Sequence, residues 1–113
     1  MRRGEIWTAN LNPNKGSEIG KIRPVVIMQE DRLIATGLAT ILAIPLTTQF
    51  RPAFVPLRVR IAARDRLSRD CYTMVEHLTA LDRSRFGEGP LATLTAEEMA
   101  AVEKSLRGVI GLL

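Results

Sequence analysis

The sequence predicts a β-rich α+β fold, a small antiparallel barrel or strongly bent sheet followed by a C-terminal helix. Two patterns lead to this fold class. Short β-branched or alternating segments recur along the first two thirds of the chain with long polar connections between them, and a helical apolar period replaces them near the end. The chain has 113 residues, of which 46% are hydrophobic, and this is enough for one core. We expect a single domain over residues 1–113.

Five segments are predicted as strands. The first and fourth alternate apolar and polar side chains, which is typical of a half-buried strand, and the fourth carries Arg58 and Arg60 on its outer face. The second begins at Pro24, since a strand tolerates proline at its first residue. Residues 12–23 form a long polar connection between the first two strands. The predicted strands cover residues 5–11, 24–28, 40–46, 54–61 and 71–75.

A helix is predicted over residues 96–107. Thr95 and Glu98 have the spacing of a capping box, and Leu94 and Met99 have the spacing of a hydrophobic staple. The apolar residues that recur on one helical face are Met99, Val102, Leu106 and Ile110.

Positive charge is concentrated in one block of the chain. Lys and Arg total 16 against 12 Asp and Glu, for a net charge of +4. Residues 51–70 contain six arginines and two aspartates, so the local excess equals that of the whole chain. Concentrated arginine on a basic domain is typical of nucleic-acid binding, and a solvated, ion-paired surface has the same composition. The six arginines are Arg51, Arg58, Arg60, Arg64, Arg66 and Arg69.

Several kinds of functional site have no counterpart in the sequence. The single cysteine, Cys71, excludes an intrachain disulfide, and with one histidine there is no closed zinc ligand set. The signatures of serine hydrolases, zinc peptidases, P-loop proteins and CxxC redox proteins are absent. No long apolar stretch follows Met1, so we expect no signal peptide, and no run reaches the roughly 20 apolar residues of a membrane span. We expect a cytoplasmic protein that needs no metal or cofactor.

Four motifs follow one another along the chain: Arg-Gly-Glu-Ile-Trp at residues 3–7, Gly-Ser-Glu-Ile-Gly-Lys-Ile-Arg-Pro-Val-Val at 16–26, Pro-Leu-Thr at 45–47 and Asp-Arg-Ser-Arg at 82–85. In this order they resemble the motifs of the MazF/PemK toxins, the sequence-specific endoribonucleases of toxin–antitoxin pairs. The resemblance implies an SH3-like barrel of the MazF/PemK/CcdB type, a homodimer and an acidic, flexible antitoxin partner. It also implies metal-independent cleavage of single-stranded RNA, with 2′,3′-cyclic phosphate and 5′-hydroxyl ends.

The same resemblance places the catalytic arginine at Arg23 and the catalytic hydroxyl at Thr47. Attack by a ribose 2′-OH passes through a five-coordinate phosphorus with extra negative charge, which a guanidinium stabilises and a hydroxyl can hydrogen-bond. Apart from the motif, Arg23 fits an ion pair at a strand entrance and Thr47 an ordinary β-branched residue at a strand end.

The chain departs from the family pattern after the fifth predicted strand. His77 stands where members often have Gln, and Thr79 where they often have Arg, while Glu76 retains an acidic residue. Both Glu76 and His77 are candidates for acid–base chemistry, His77 because imidazole titrates near neutrality. If this stretch is extended, successive side chains face opposite sides and only one of the two faces the substrate.

Loops around these residues supply candidate RNA contacts to phosphates or base edges. The polar loop of residues 12–22 is predicted to gate the RNA groove. Phe50 is a candidate for base stacking, whereas Trp7 lies in an alternating strand and is predicted to belong to the core. The predicted RNA-binding residues are Asn12, Lys15, Ser17, Glu18, Lys21, Gln49, Phe50 and Arg51.

Two other functions remain compatible with the sequence. Toxins that poison DNA gyrase share this barrel and act by binding protein, so the fold alone does not identify an enzyme. A small barrel that binds nucleic acid without cutting it would retain the arginines but would not need Thr47. The Arg-Pro and Pro-Leu-Thr elements favour the nuclease.

Overall fold

Antiparallel strand pairing organises the computed structural model, which describes residues 1–112. The sheet order is β4-β5-β3-β2-β1-β7, and β6 also pairs with β3. The strands are β1 (Glu5–Asn10), β2 (Ile22–Ile27), β3 (Thr40–Thr47), β4 (Arg60–Ile61), β5 (Cys71–Thr73), β6 (Thr79–Asp82) and β7 (Ala92–Thr93); the helices are α1 (Asp31–Ala35) and α2 (Ala96–Val109).

The long strand β3 bends the sheet. Its first half, from Thr40 to Ala43, pairs with β6, whereas Leu46 and Thr47 pair with β5. Because one strand thus has two different neighbours on the same side, the sheet opens there and curls into a half-barrel. The predicted class, a strongly bent antiparallel sheet with a C-terminal helix, is confirmed.

Alternation along the strands separates two faces of the sheet. On one face Ile6, Val26, Ile44 and Leu46, all fully buried, pack in one cluster with Val102 of α2. On the other face the buried apolar side chains form two smaller clusters, built on Ala9, Leu11, Val25, Ala43 and Leu81 and on Ile27, Ile34 and Ile41. The second face therefore has less apolar cover, and it carries the polar site described below.

The C-terminal helix begins where the sequence predicts and continues two residues further. Thr95 Oγ1 accepts from the Glu98 backbone N–H, and the Glu98 carboxylate accepts from the Thr95 N–H, so the capping box is complete. Val102 is fully buried, and Met99 and Leu106 pack partly buried against the same core. Ile110 was expected on this face, but it lies at the helix end and is 52% exposed.

Three predicted strands are corrected. The second begins at Ile22, two residues before the predicted start at Pro24. Residues 54–61 are not a strand: Pro52–Leu57 is a short 3-10 segment and only Arg60–Ile61 pairs, since Pro56 has no N–H for a ladder. Residues 71–75 pair only as far as Thr73, and Val75–His77 is a 3-10 turn. The short elements α1, β6 and β7 were not predicted.

Trp7 packs at the edge of the core rather than at its centre. It is half-buried against the cluster of Ile27, Ile34 and Ile41, and its Nε1 donates to Glu5 Oε1 at 3.0 Å.

Within residues 1–112 no helix has both the length and the apolar character needed to cross a bilayer.

Glu98 makes the stability of the fold depend on pH. Partial burial raises the pKa of Glu98, but hydrogen bonds from Arg64 and Thr95 outweigh burial, so this pKa lies below its ordinary value. A lowered pKa means that the ionised group stabilises the fold above the unfolded-state pKa, about 4.3, and that the contribution is lost as pH falls through the folded-state pKa.

We expect Glu98→Gln to lower the free energy of unfolding by about 2 kcal/mol at pH 7, because hydrogen bonds to a charged group are lost. The difference between wild type and variant should shrink as pH falls below the unfolded-state pKa, about 4.3, and through the lower folded-state pKa of Glu98. Thermal unfolding of both proteins from pH 7 to pH 3 measures it. A difference that stays constant over that range would contradict the assignment.

Candidate active site

Arg23 and Thr47 lie on the same face of the sheet. Val25 on β2 pairs with Pro45 on β3, and continuing this register by two residues brings Arg23 opposite Thr47. Arg23 Nε donates to the Gly20 carbonyl at 3.0 Å. No carboxylate within residues 1–112 lies within 4.0 Å of its guanidinium. The ion-pair alternative therefore finds no support, and the outer nitrogens of Arg23 are open to an anion.

The Thr47 hydroxyl fixes the start of the next loop. Its Oγ1 accepts from the Gln49 backbone N–H at 3.1 Å, and its backbone pairs with Tyr72 of β5. The hydroxyl still has its own proton to donate. Thr47 is half-buried, so its hydroxyl lies near the surface, on the same face of the sheet as Arg23.

A cleft of about 360 Å³ opens beside this pair. It contains three of the predicted site residues: Glu18, Glu76 and His77. Thr79 also lines it and pairs with Ala43, four residues before Thr47 on β3, so the cleft and Arg23 share one face of the sheet. Neither Arg23 nor Thr47 lines the cleft itself. The lining residues are Leu11, Pro13, Asn14, Glu18, Ile19, Pro45, Glu76, His77, Leu78, Thr79, Ala80, Leu81 and Arg85.

The turn at residues 75–77 brings both acid–base candidates into the cleft. Val75 is fully buried and Leu78 is packed against the same core, while Glu76 and His77 project from the other side of the turn and line the cleft. Their side chains are close, with 3.9 Å between His77 Nε2 and Glu76 Oε2. The stretch is helical rather than extended, so the expected choice between the two residues does not arise.

Glu76 is held by an arginine. Arg58 Nη1 and Nη2 donate to its two carboxylate oxygens at 2.6 and 2.8 Å. Partial burial raises the pKa of Glu76, but the hydrogen bonds and charge of Arg58 outweigh burial, and this pKa lies below its ordinary value. A carboxylate with a lowered pKa is a weak proton acceptor near neutrality.

The predicted loop residues mostly hydrogen-bond within their own loop. Glu18 Oε1 accepts from the Lys15 N–H at 2.7 Å, and Asn12 Oδ1 accepts from the Lys21 N–H at 3.0 Å. Ser17 is exposed at the loop tip. These bonds give the loop a defined shape and leave the cationic ends of Lys15 and Lys21 at the surface.

Arg85 is a cleft residue to which sequence reasoning assigned no role. Its Nη1 donates to the carbonyls of Asn10 and Asn12, and thereby ties the base of the 12–22 loop to the segment after β6. Arg85 ends the Asp-Arg-Ser-Arg motif, and that motif is the one signal in the sequence that pointed to it.

Residues 49–51 form a second edge of the site. The Phe50 ring is 48% exposed and lies 5.0 Å from the Tyr72 ring, tilted by 42°. Arg51 Nη2 donates to Gln49 Oε1 at 3.4 Å. Phe50 therefore keeps an exposed aromatic surface beside the end of β3. Of the predicted RNA-binding residues, those outside the cleft lining are Asn12, Lys15, Ser17, Lys21, Gln49, Phe50 and Arg51.

Ion pairing reduces the free charge of the arginine block. Four of its six arginines contact carboxylates: Arg58 with Glu76, Arg60 with Asp70, Arg64 with Glu98 and Arg66 with Glu88. The ion-paired interpretation of the block therefore holds for these four arginines, and nucleic-acid binding by the block stays a prediction. Of the cations nearest the site, Lys15, Lys21, Arg23 and Arg85 have no carboxylate partner in the described part of the chain.

A bent antiparallel sheet that presents an unpaired arginine, a hydroxyl and a polar cleft on one face fits a small protein that handles phosphodiesters. The family model described as PemK-like, MazF-like toxin of type II toxin–antitoxin system matches residues 2–110. The chain therefore belongs to this toxin family, as its motifs predicted.

Individual relatives agree with the family. The protein named Endoribonuclease MazF from Staphylococcus saprophyticus is 34% identical over 116 aligned positions, which cover 99% of this chain and 92% of the relative. The crystal structure of MazF from Deinococcus radiodurans has a TM-score of 0.83 at 25% identity and covers 98% of this chain and 96% of that one. A mycobacterial endoribonuclease in complex with its cognate antitoxin has a TM-score of 0.78 at 21% identity. The match covers 100% of this chain and 97% of that one, and it supports the fold alone.

Proposed function

We propose that this toxin endoribonuclease cleaves single-stranded RNA at specific sequences, by attack of a ribose 2′-OH on the adjacent phosphate and without a metal ion. The products are a 2′,3′-cyclic phosphate and a 5′-hydroxyl. The observation that carries the proposal is the Arg23 guanidinium, which has no carboxylate partner within residues 1–112 and shares a sheet face with Thr47. A fixed cation beside a hydroxyl is suited to the charge that develops on the phosphorane.

In this mechanism Arg23 and Thr47 act on the phosphate. The guanidinium fork donates to two phosphoryl oxygens, and the Thr47 hydroxyl donates to a third oxygen or to the leaving group. Neither residue needs to change its protonation state, because both act as hydrogen-bond donors.

The proton of the attacking 2′-OH requires a separate acceptor. Glu76 lines the cleft, but its lowered pKa and its two bonds from Arg58 oppose this role. His77 lines the same cleft and has a side chain that is 31% exposed. We assign proton transfer to His77: its imidazole accepts the 2′-OH proton without the ion-pair constraint that holds Glu76. As the bond between phosphorus and the 5′-oxygen breaks, the imidazolium returns a proton to that oxygen, directly or through water, which gives the 5′-hydroxyl.

Substrate binding involves the cleft and its two edges. Lys15 and Lys21 on the 12–22 loop are placed to contact phosphates, and Phe50 on the opposite edge offers a ring for base stacking. Base edges are read in the cleft, where Glu18 and Thr79 offer hydrogen-bonding groups. Thr79 is shorter than the arginine common in the family, so the sequence preference should differ from that of members with arginine at this position.

A toxin of this family requires a partner that keeps it inactive. We propose a homodimer that is neutralised by an acidic, partly disordered antitoxin, whose carboxylates take the places of RNA phosphates at Lys15, Lys21, Arg23 and Arg85. Association should be fast and should slow as salt rises. Because the substrate is cellular RNA, we place the activity in the cytoplasm.

Incubation of the purified protein with a long single-stranded RNA in excess EDTA tests the function. We expect a set of discrete fragments, unchanged by the chelator, since Arg23 supplies the positive charge that a metal would otherwise provide. Loss of cutting in EDTA with recovery on adding a divalent ion would contradict the mechanism. Intact RNA, together with tight binding to DNA gyrase or to the RNA, would instead indicate one of the two non-enzymatic functions.

A further inference from the structure

Arg58 joins two parts of the site that are distant in sequence. Its side chain is only 7% exposed, and its guanidinium fork meets both oxygens of Glu76 on the 75–77 turn. The same guanidinium lies over the ring of Phe54, with 5.1 Å from Cζ to the ring centroid. One buried cation therefore contacts both the turn that carries His77 and the segment that follows Phe50.

The backbone around Arg58 is rigidly held. Thr73 on β5 is fully buried, and its Oγ1 accepts from the Val59 N–H at 2.8 Å and donates to the Leu57 carbonyl at 3.1 Å. The residues on both sides of Arg58 are thus tied to the sheet by one hydroxyl. Its guanidinium has a fixed base from which to hold the turn opposite.

The buried position of the Arg58 side chain lowers the stability of the fold. Arg58 Nε is buried and has no hydrogen-bond partner among residues 1–112, and a buried donor without a partner is unfavourable. A hydrophobic residue at this position would avoid that cost. The bidentate contact to Glu76 is what the arginine supplies in return, and this contact fixes both the distance and the plane of the carboxylate.

We propose that Arg58 is a positioning residue of the ribonuclease. Its two hydrogen bonds to Glu76 orient the Val75–His77 turn so that His77 faces the cleft. Its contact with the Phe54 ring holds the segment that contains Phe54 at a fixed distance from that turn. Arg58 does not touch the reacting phosphate and acts through Glu76 and His77. This inference rests on the proposed function.

Three variants test the proposal: Arg58→Gln, Arg58→Lys and the control Arg60→Gln. Arg60 lies two residues after Arg58 and contacts neither the cleft nor the 75–77 turn. Like Arg58→Gln, the variant Arg60→Gln removes one charge and one ion pair, in this case the pair with Asp70. We expect Arg58→Gln to lower kcat about 10²-fold, the size of effect that a misplacement of about 1 Å produces, with KM nearly unchanged. Arg58→Lys keeps the charge over Phe54 without the fork, so its loss should be smaller, and Arg60→Gln should retain wild-type kcat.

A second readout does not depend on cleavage. His77 is the one histidine in the sequence, so the imidazole Cε1 proton gives a single NMR resonance. In the free protein this resonance should shift and broaden in Arg58→Gln but not in Arg60→Gln. If Arg58→Gln does not fold, Arg58→Lys carries the same test, with a smaller shift in the same direction.

Two results would overturn the proposal. One is a His77 resonance that does not move in a folded Arg58 variant. This result can be obtained even if the wild-type protein cuts no RNA, so failure of the inference is distinct from failure of the proposed function. The other is a loss that falls wholly on KM and on the salt dependence of binding, which would make Arg58 a phosphate contact.

Discussion

Arg23→Ala should lower the rate of RNA cleavage by about 10²–10³-fold, the effect of removing one fixed donor from a site that stabilises developing negative charge. The structure places Arg23 on the Thr47 face with a single hydrogen bond, from Nε to the Gly20 carbonyl at 3.0 Å. The substitution removes the charge that we propose stabilises the phosphorane but breaks no ion pair. The free energy of unfolding should therefore fall by only about 1 kcal/mol.

Single-turnover cleavage of one defined RNA, measured beside thermal unfolding, separates the two effects. Arg32→Ala is the matched control, because Arg32 lies on α1 with a side chain 92% exposed, pairs with Glu30 and lines no part of the site. Arg23→Lys, which keeps the charge and loses the planar fork, should fall between wild type and Arg23→Ala. If Arg23→Ala lost folding and activity together, Arg23 would be a structural residue.

Thr47→Val should also reduce cleavage, by about 10²-fold, since it removes a hydrogen-bond donor at the reacting phosphate and keeps the β-branched shape. It also removes the acceptor for the Gln49 N–H, an exchange that costs about 1 kcal/mol of stability. Thr47→Ser restores the hydroxyl, and we expect it to recover most of the rate.

Thr40→Val is a suitable control, because Thr40 lies at the exposed other end of the same strand. It should leave the cleavage rate unchanged. A Thr47→Val protein that cut RNA as fast as Thr40→Val would return Thr47 to the role of an ordinary strand-end residue.

Local sequence signals predicted the elements that depend on local interactions. The capping box of Thr95 and Glu98 located the start of α2, and the β-branched run after Pro24 located β2, because both patterns act within a few residues. The alternation of Val55, Leu57, Val59 and Ile61 imitated a strand and failed. Pro56 removes a ladder donor there, and Val55 is 52% exposed rather than buried.

The site was predictable where a motif marked it and not where distant segments meet. The motifs predicted Arg23 and Thr47 as site residues, and the β2–β3 register puts both on one face of the sheet. The Arg58–Glu76 contact joins residues 18 positions apart, and the place of Arg85 at the base of the 12–22 loop depends on a contact over more than 70 positions. The first contact lies beside the pairing of β4 with β5 and the second beside the bridge between Ala9 and Phe86, and no local pattern encodes either pairing.

Cleavage of a short RNA that contains one cut site, compared with the same RNA carrying a single 2′-deoxyribose at that site, tests the central claim most directly. The account predicts that the wild-type protein cuts the first in EDTA, leaves a 2′,3′-cyclic phosphate and a 5′-hydroxyl, and leaves the second intact. Equal cleavage of both substrates, or a 5′-phosphate on the product, would contradict it, because neither result is compatible with attack by the 2′-OH.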